Sequence, residues 1–265
     1  MSPITAYSGG KPFDATLPCV VFVHGALHDH SVFTLLARSF AHAGFGVLAV
    51  DLPAHGRSPG PPAESIAAAA AQLLAMLDAR GVQRAAWVGH SMGSLIALEA
   101  AAQAPERAWH LALLATAAPM RVSDALLATA EQQPVKAMKM VNVFSHSSLA
   151  AAPGYPGPGS WLHGANQALM ERTQAGWRGD DGTGNLFLHD FRLCNDYDGA
   201  LAAAERVRCP VTVVAGSRDQ MTPAKAGAAL AQALNASSFT LPCGHALMQE
   251  DPEGLRALLQ ARLRP

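Results

Sequence analysis

The sequence predicts an α/β fold in which a mostly parallel central sheet carries helices on both faces. Six short runs of apolar, often β-branched residues alternate with longer stretches of helical periodicity along most of the chain. Each run is apolar at nearly every position, which is typical of a strand covered on both faces. Alternation of such strands with helices favours a parallel sheet enclosed between two helical layers.

The predicted elements follow one another in a regular order. The strand candidates, in chain order, are "CVVFVHG", "GVLAVD", "AAWVGH", "LALLAT", "VTVVAGS" and "SSFTLP". The helix candidates between them lie around 31–43, 64–80, 91–104, 223–234 and 253–263. The second of these helices opens with "ES", and the glycine of "RGV", Gly81, is a typical residue just beyond a helix end.

One long segment interrupts the alternation. Between about Pro119 and Ala204 no strand pattern is evident, the stretch 151–160 is rich in glycine and proline, and the glycine-rich stretch 176–185 is predicted to be a second loop. We therefore predict a core formed by residues 1–119 and 205–265. Residues 120–204, called the cap segment below, are predicted to form a helical insertion that covers the carboxyl edge of the sheet.

Composition narrows the possible partners and location. The 265-residue chain has a formal charge of −1 at pH 7, and 15% of its residues are charged, without any run of like charge. Nothing in this pattern favours nucleic acid or an anionic membrane as a partner. We recognise no signal peptide, and "SIAAAAAQLLAMLDA" is too short to span a bilayer. Four scattered cysteines without a CxxC pair are typical of reduced thiols, so we expect a cytoplasmic protein. We expect it to be a monomer or a homodimer.

The stretch "WVGHSMGSLIALEAA", residues 87–101, is the strongest chemical signal. A predicted strand ends at Gly89, Ser91 occupies the turn, and a helix begins at once. Glycines on both sides of the serine allow a strained strand-to-helix corner that lifts the hydroxyl out of the sheet. The same corner directs a helix N-terminus at a developing oxyanion. Ser91 is therefore the candidate nucleophile.

A serine nucleophile needs a base that is itself oriented by a carboxylate. Asp219 follows the strand "VTVVAGS", and His245 follows the strand "SSFTLP". Both lie at strand ends, in the order serine, acid, histidine. An alternative position for the acid follows the strand "LALLAT", but no carboxylate appears there before Asp124. We therefore predict a catalytic triad of Ser91, Asp219 and His245.

These motifs together resemble the α/β-hydrolase superfamily. The matching pieces are "VHGA", "DLPAHGRS", "GHSMG", "GSRDQMTP" and "GHALMQEDPE", which occur in this order over residues 20–255. The chain is most similar to small cap-bearing serine hydrolases of the carboxylesterase and carbon–carbon bond hydrolase type. Because the stretch before residue 19 is short, we expect the first two antiparallel strands of that fold to be abbreviated.

The resemblance implies a reaction and an oxyanion hole. The two N–H donors would come from Ala26, in the loop after "VHG", and from Met92, which follows the nucleophile. The implied activity is hydrolysis of an ester-type bond through an acyl-enzyme. A serine at the elbow excludes relatives that use aspartate there, such as haloalkane dehalogenases. Carbon–carbon bond hydrolysis, lactone hydrolysis and a non-catalytic ligand-binding role remain as alternatives.

The stretch "VHGALHDH" also invites a metal-site interpretation, because His24, His28, Asp29 and His30 are all possible zinc ligands. The spacing is wrong for the His-x-His-x-Asp-His pattern of zinc hydrolases, since Ala26 occupies the second histidine position. We therefore expect no metal and no cofactor. His24 is predicted to brace the loop, with His28 and His30 near the pocket.

The substrate is expected to be a small molecule with a small to medium hydrophobic part. The residues predicted to contact it are mostly apolar: Leu27, His30, Trp161, Met221 and Met248. No motif in the cap segment identifies the substrate more closely. The predicted fold does not identify it either, because one fold can carry many specificities.

Overall fold

The computed structural model describes residues 3–147, 162–179 and 181–264. Seven strands form one sheet in the order β1-β3-β2-β4-β5-β6-β7, in which β1 is antiparallel to β3 and every other pair is parallel. The strands are β1 (Ala6–Tyr7), β2 (Cys19–Val23), β3 (Gly46–Val50), β4 (Ala85–His90), β5 (Ala108–Leu114), β6 (Val211–Gly216) and β7 (Ser237–Leu241).

Eleven α-helices lie in the described residues. They are α1 (Thr34–His42), α2 (Ile66–Ala79), α3 (Met92–Gln103), α4 (Asp124–Gln132), α5 (Pro134–Ser145), α6 (Leu162–Gly176), α7 (Leu186–Asp196), α8 (Ala200–Ala204), α9 (Ala228–Ala233), α10 (Leu247–Glu250) and α11 (Pro252–Arg262). Short 3₁₀ turns cover His30–Phe33, Pro105–Arg107 and Ala224–Gly227. Among these helices, none is both long and apolar enough to cross a membrane.

The α/β prediction is confirmed, and the six predicted strands correspond to β2 through β7. The two-residue β1 was not among them, although an abbreviated antiparallel start was expected. Helix α2 shows why its ends were readable. The Ser65 hydroxyl accepts a hydrogen bond from the Ala68 N–H at its start, and Gly81 adopts a φ of +69° beyond its end.

Alternate residues of the buried strands point into two separate cores. In β2, Val21 packs with α2 and α3 on one face of the sheet, whereas Val20 and Phe22 pack with α1 and α11 on the other. All five residues of this strand are buried. A side-chain period of two therefore divides one apolar run between both helical layers, as expected for a covered parallel strand.

Within its described part, the cap segment is helical and contains no strand. Helices α4, α5, α6 and α7 share an apolar cluster that also includes Leu27 and Ala54 from loops of the core. The short helix α8 differs, because Ala200 and Ala203 are buried in the cluster formed by α2 and α3. The predicted boundary at residue 204 therefore places a helix in the cap segment that packs with the core.

Candidate active site

Ser91 lies in the sharp turn between β4 and α3. Its backbone has a φ of +53° and a ψ of −122°, a sparsely populated combination that costs a non-glycine residue about 1–3 kcal/mol. The Ser91 N–H donates to the carbonyl of Leu114 at 2.9 Å, which fixes the turn against β5. A Cβ on Gly89 would collide with the Gly93 carbonyl, and a Cβ on Gly93 would collide with the Val23 carbonyl. Both glycines are therefore required by close backbone packing, as the sequence predicted.

Asp219 and His245 come together at the carboxyl ends of β6 and β7. The Nδ1–H of His245 donates to Oδ2 of Asp219 at 2.8 Å. The other oxygen of Asp219 accepts the backbone N–H groups of Met221 at 2.8 Å and of Thr222 at 2.9 Å. The Thr222 hydroxyl lies 2.8 Å from Asp219 Oδ2. The carboxylate is thus oriented by its own loop, and Thr222 is a member of the site that sequence reasoning missed.

The surroundings of Asp219 hold it in its charged form. Burial alone would raise the pKa of this carboxyl, but the neighbouring His245 and the hydrogen bonds from Thr222 lower it to about 2. An ionised Asp219 keeps the proton of His245 on Nδ1 and leaves Nε2 as the basic atom. This is the tautomer that a general base at the serine requires.

Ser91 and His245 line one cavity of about 60 Å³. Its lining consists of Gly25, Ala26, His28, His90, Ser91, Met120, Arg121, Val122, Val141, Ser145, Phe191, Cys194, Met221, Thr222 and His245. The Ser91 hydroxyl makes no hydrogen bond to another described residue. A rotation about its Cα–Cβ bond changes its distance to the imidazole, and such contacts often tighten only when substrate binds.

The peptide group between Gly25 and Ala26 carries the first predicted oxyanion donor. Its carbonyl oxygen, on Gly25, is held by His24 Nδ1 at 2.8 Å and by the His28 N–H at 3.3 Å. Nε2 of His24 accepts the N–H of Leu52 at 3.1 Å, so His24 is neutral and donates from Nδ1. Burial lowers the pKa of His24 to about 3. Since N–H and C=O point in opposite directions in a planar trans peptide, His24 turns the Ala26 N–H away from itself.

The second predicted donor is the N–H of Met92, the first residue of α3. Helices leave their first amide groups without intrahelical acceptors, and the positive end of the helix dipole lies there. Within the described chain, neither the Ala26 N–H nor the Met92 N–H has a hydrogen-bond acceptor. Both residues follow strands at the same sheet edge, since Val23 of β2 pairs with Gly89 of β4.

Three of the residues predicted to contact substrate are placed elsewhere. Leu27 is fully buried in the apolar cluster of the cap segment, and Met248 is buried with the helices on the opposite face of the sheet. His30 is absent from the lining of the cavity and binds Asp51 through Nδ1 at 2.7 Å. None of the three lines the cavity with Ser91, because Leu27 and Met248 point into neighbouring apolar cores and His30 is held by Asp51. Of the predicted set, Met221 lines the cavity, and Trp161 lies outside the described residues.

The residues considered as metal ligands are engaged in several different contacts. Asp29, His30 and Asp51 bring possible ligand atoms within 4.8 Å of one another. However, Asp29 pairs with Arg172 of α6 at 2.9 Å, and Asp51 accepts the N–H groups of His30 at 2.8 Å and of Arg57 at 3.1 Å. These contacts tie the loops after β2 and β3 together, which explains the local density of histidine and aspartate.

Comparisons with known proteins agree with this geometry. A family model described as the alpha/beta hydrolase fold matches residues 18–252, so the chain belongs to the α/β-hydrolase family. The chain is 34% identical over 265 aligned residues to the pimeloyl-[acyl-carrier protein] methyl ester esterase of Chromobacterium violaceum, covering 92% of this chain and 93% of that protein.

Solved structures share the fold at lower sequence identity. A hydrolase from Pseudomonas aeruginosa superposes with a TM-score of 0.79 at 20% identity and covers 98% of both chains. An enol-lactonase from Burkholderia xenovorans superposes with a TM-score of 0.75 at 19% identity, covering 99% of this chain and 95% of that one. The same fold therefore carries hydrolases that act on different bonds, and the bond cleaved by this chain must be argued from its own site.

Proposed function

We propose that this protein is a serine hydrolase that cleaves an ester-type bond of a small molecule through an acyl-enzyme. The observation that carries the proposal is the 2.8 Å hydrogen bond between His245 and Asp219 in the cavity that Ser91 also lines. A serine, a base and an orienting carboxylate at one cavity constitute the components of acyl transfer. The esterase activity named for the 34% identical relative supports an ester as the bond.

The proposed reaction begins with proton transfer from the Ser91 hydroxyl to Nε2 of His245, while the serine oxygen attacks the ester carbonyl. The Ala26 and Met92 amides would donate to the resulting oxyanion, which is where preorganised dipoles contribute most. The imidazolium then protonates the leaving alcohol, and an acyl group remains on Ser91. Water, deprotonated by His245, releases the acid.

The proposed substrate has a small, largely apolar acyl group. Apolar side chains of Met120, Val122, Val141, Phe191 and Met221 line much of the cavity. A volume of about 60 Å³ is small compared with typical ligand pockets of about 300–1,000 Å³. We expect p-nitrophenyl acetate and butyrate to be hydrolysed faster than esters of long-chain acids.

The decisive experiment combines labelling with turnover. A fluorophosphonate probe should label the parent protein and leave Ser91→Ala unlabelled, and turnover of p-nitrophenyl acetate should fall about 10⁶-fold in that variant. The control is Ser31→Ala, which removes an exposed hydroxyl outside the cavity and should retain full activity. A folded parent protein that neither reacts with the probe nor turns over esters or lactones would favour the non-catalytic ligand-binding alternative.

A further inference from the structure

A buried carboxylate from the cap segment contacts the loop that carries the predicted oxyanion donor. Asp190 lies in α7, and its side chain is fully shielded from solvent. A single oxygen, Oδ2, accepts the backbone N–H of Leu27 at 2.8 Å and Nε2 of His55 at 2.8 Å. A buried carboxylate is expensive unless it is paired and hydrogen-bonded, and here both requirements are met by core loops.

His55 is the charged partner of this carboxylate. Its Nδ1 lies 2.9 Å from the carbonyl oxygen of Pro53, and its Nε2 faces Asp190. Both neighbours are acceptors, so both ring nitrogens donate and His55 is an imidazolium. Burial would lower the pKa of His55, but the charge of Asp190 and its hydrogen bond raise it above the ordinary value. The His55 charge likewise lowers the pKa of Asp190 against the effect of its burial.

The contact with Leu27 restrains a strained part of the oxyanion loop. Leu27 has a φ of +54°, which is strained for a non-glycine residue. Such a backbone conformation persists only where surrounding contacts hold it. The peptide group between Ala26 and Leu27 is held at both ends, because its carbonyl lies 2.8 Å from His28 Nδ1 and its N–H donates to Asp190. This peptide group is adjacent to the one that presents the Ala26 N–H. Fixing its plane limits the rotation of Ala26 about its backbone bonds.

The geometry points to Asp190 as a positioning residue that, paired with His55, holds the Leu27 amide from the cap segment and thereby aims the Ala26 N–H at the oxyanion. This inference rests on the proposed function, because it assigns a role within the same acyl-transfer site. The cap segment would then contribute to the chemical step as well as covering the cavity. Two more contacts from α6 hold the same loop: Asn166 with His28 at 2.8 Å and Arg172 with Asp29 at 2.9 Å.

The test compares two substitutions of Asp190 in the full-length protein. Asp190→Ala removes the acceptor of the Leu27 N–H, whereas Asp190→Asn can retain both contacts through its single side-chain oxygen. Oxyanion contacts act in the transition state, so kcat for p-nitrophenyl acetate should fall at least about tenfold in Asp190→Ala with KM changed less than about threefold. Asp190→Asn should have a kcat closer to that of the parent.

A second readout reports on the oxyanion itself. The affinity for a trifluoromethyl ketone, whose adduct with Ser91 carries an oxyanion, should fall in Asp190→Ala by a factor similar to the fall in kcat. If that variant does not fold, the double variant His55→Leu/Asp190→Leu leaves no unpaired charge and removes the same acceptor. Asp196→Ala, an exposed position on the same helix, is the control and should match the parent.

The outcomes separate this inference from the proposed function. An inactive parent protein would overturn the proposed function and, with it, the positioning role that rests on that function. An active parent, with a folded Asp190→Ala or double variant whose kcat falls less than tenfold, would overturn the positioning role. A change confined to KM would also overturn it, because a group that aims an oxyanion donor acts on kcat.

Discussion

His90 and His245 are joined by a hydrogen bond that runs from the nucleophile strand to the loop of the base. Nε2 of His90 donates to the backbone carbonyl of His245 at 2.9 Å, and the two rings lie 4.8 Å apart. Burial, reinforced by the nearby His245, lowers the pKa of His90 well below its ordinary value, so this donor is a neutral imidazole. The residue preceding Ser91 therefore anchors the base relative to the nucleophile.

Replacing His90 by phenylalanine should lower both activity and stability. Phe keeps a ring of similar size but removes one of two donors to the His245 carbonyl, which keeps the Leu247 N–H at 3.0 Å. The loss of one hydrogen bond should cost about 0.5–1.5 kcal/mol of unfolding free energy. We expect kcat for p-nitrophenyl acetate to fall several-fold as the base loop relaxes. Urea denaturation and steady-state kinetics measure the two effects. His110→Phe is the matched control, because it removes another buried histidine, bonded to Thr212, and should lower stability with kcat unchanged.

Asp219→Asn should lower kcat about 10⁴-fold, as for the corresponding change in a Ser-His-Asp triad. An amide cannot stabilise the imidazolium of His245, and it can hold the wrong tautomer. The control is Asp124→Asn in the first turn of α4, where the side chain is exposed and the loss should be below about twofold. Steady-state kinetics on p-nitrophenyl acetate would refute the assignment if Asp124→Asn were the more damaging change.

Gly93→Ala should destabilise the protein by about 1–3 kcal/mol, the usual cost of overpacking. The added methyl group would push α3 away from the Val23 carbonyl and tilt the turn that presents Ser91. Urea denaturation should show the loss, accompanied by a fall in kcat. Gly176→Ala, where the added methyl group would meet no neighbour within 4 Å, should change neither quantity appreciably. Equal stability of the two variants would contradict the close packing at the elbow.

The ion pair of His55 and Asp190 should have a measurable pH signature. The folded-state pKa of His55 is raised, so its stabilising contribution is complete below the unfolded pKa of about 6.5 and is lost as the pH rises through the folded value. In Asp190→Asn the charge that raises the pKa of His55 is removed. Burial should then lower the pKa of His55, as it lowers the pKa values of His24 and His90. The stability difference, parent minus variant, should therefore decrease with increasing pH.

Urea denaturation from about pH 5 to about pH 9 measures this difference across the histidine range. Other groups near His55 are His24, whose ring is 5.0 Å away, and Asp51, which also raises the pKa of His55. His24 and Asp51 are present in both parent and variant. Their effects on the pH profile are therefore reduced when the stability of the variant is subtracted from that of the parent. Asp196→Asn should give a profile parallel to that of the parent. A stability difference for Asp190→Asn that is constant with pH would contradict the charged state of His55.

The sequence was most informative where local backbone geometry dictates residue type. Strand β2 is apolar throughout because it is buried on both faces, and the glycines beside Ser91 are required by carbonyl oxygens a few ångströms away. The partnership of Asp219 with His245 was also predictable, because carboxyl ends of neighbouring parallel strands meet at one edge. Each of these features lies in or next to a segment whose residue pattern is recognisable in the sequence itself, such as an apolar strand or a glycine-flanked turn.

Contacts between distant segments had no such pattern. Asp190 lies on a helix and meets Leu27 and His55 only through the tertiary packing of α7, so nothing in "HDFRLC" announces its role. Leu27 and Met248 were assigned to the substrate because they follow site residues in the chain. Their side chains instead fill two different apolar clusters, which are assembled from segments distant in the chain.

Strands β5 and β6 are adjacent in the sheet although residues 115–210 lie between them. A segment that leaves and re-enters the sheet at neighbouring positions can change in length with only a logarithmic cost in closure entropy. Chimaeras in which a homologous insertion replaces this segment should therefore fold on the same sheet. To keep the parent's rate, however, the transplanted insertion would have to provide a hydrogen-bond acceptor where Asp190 stands, since the Leu27 N–H and Nε2 of His55 would otherwise lose their shared partner.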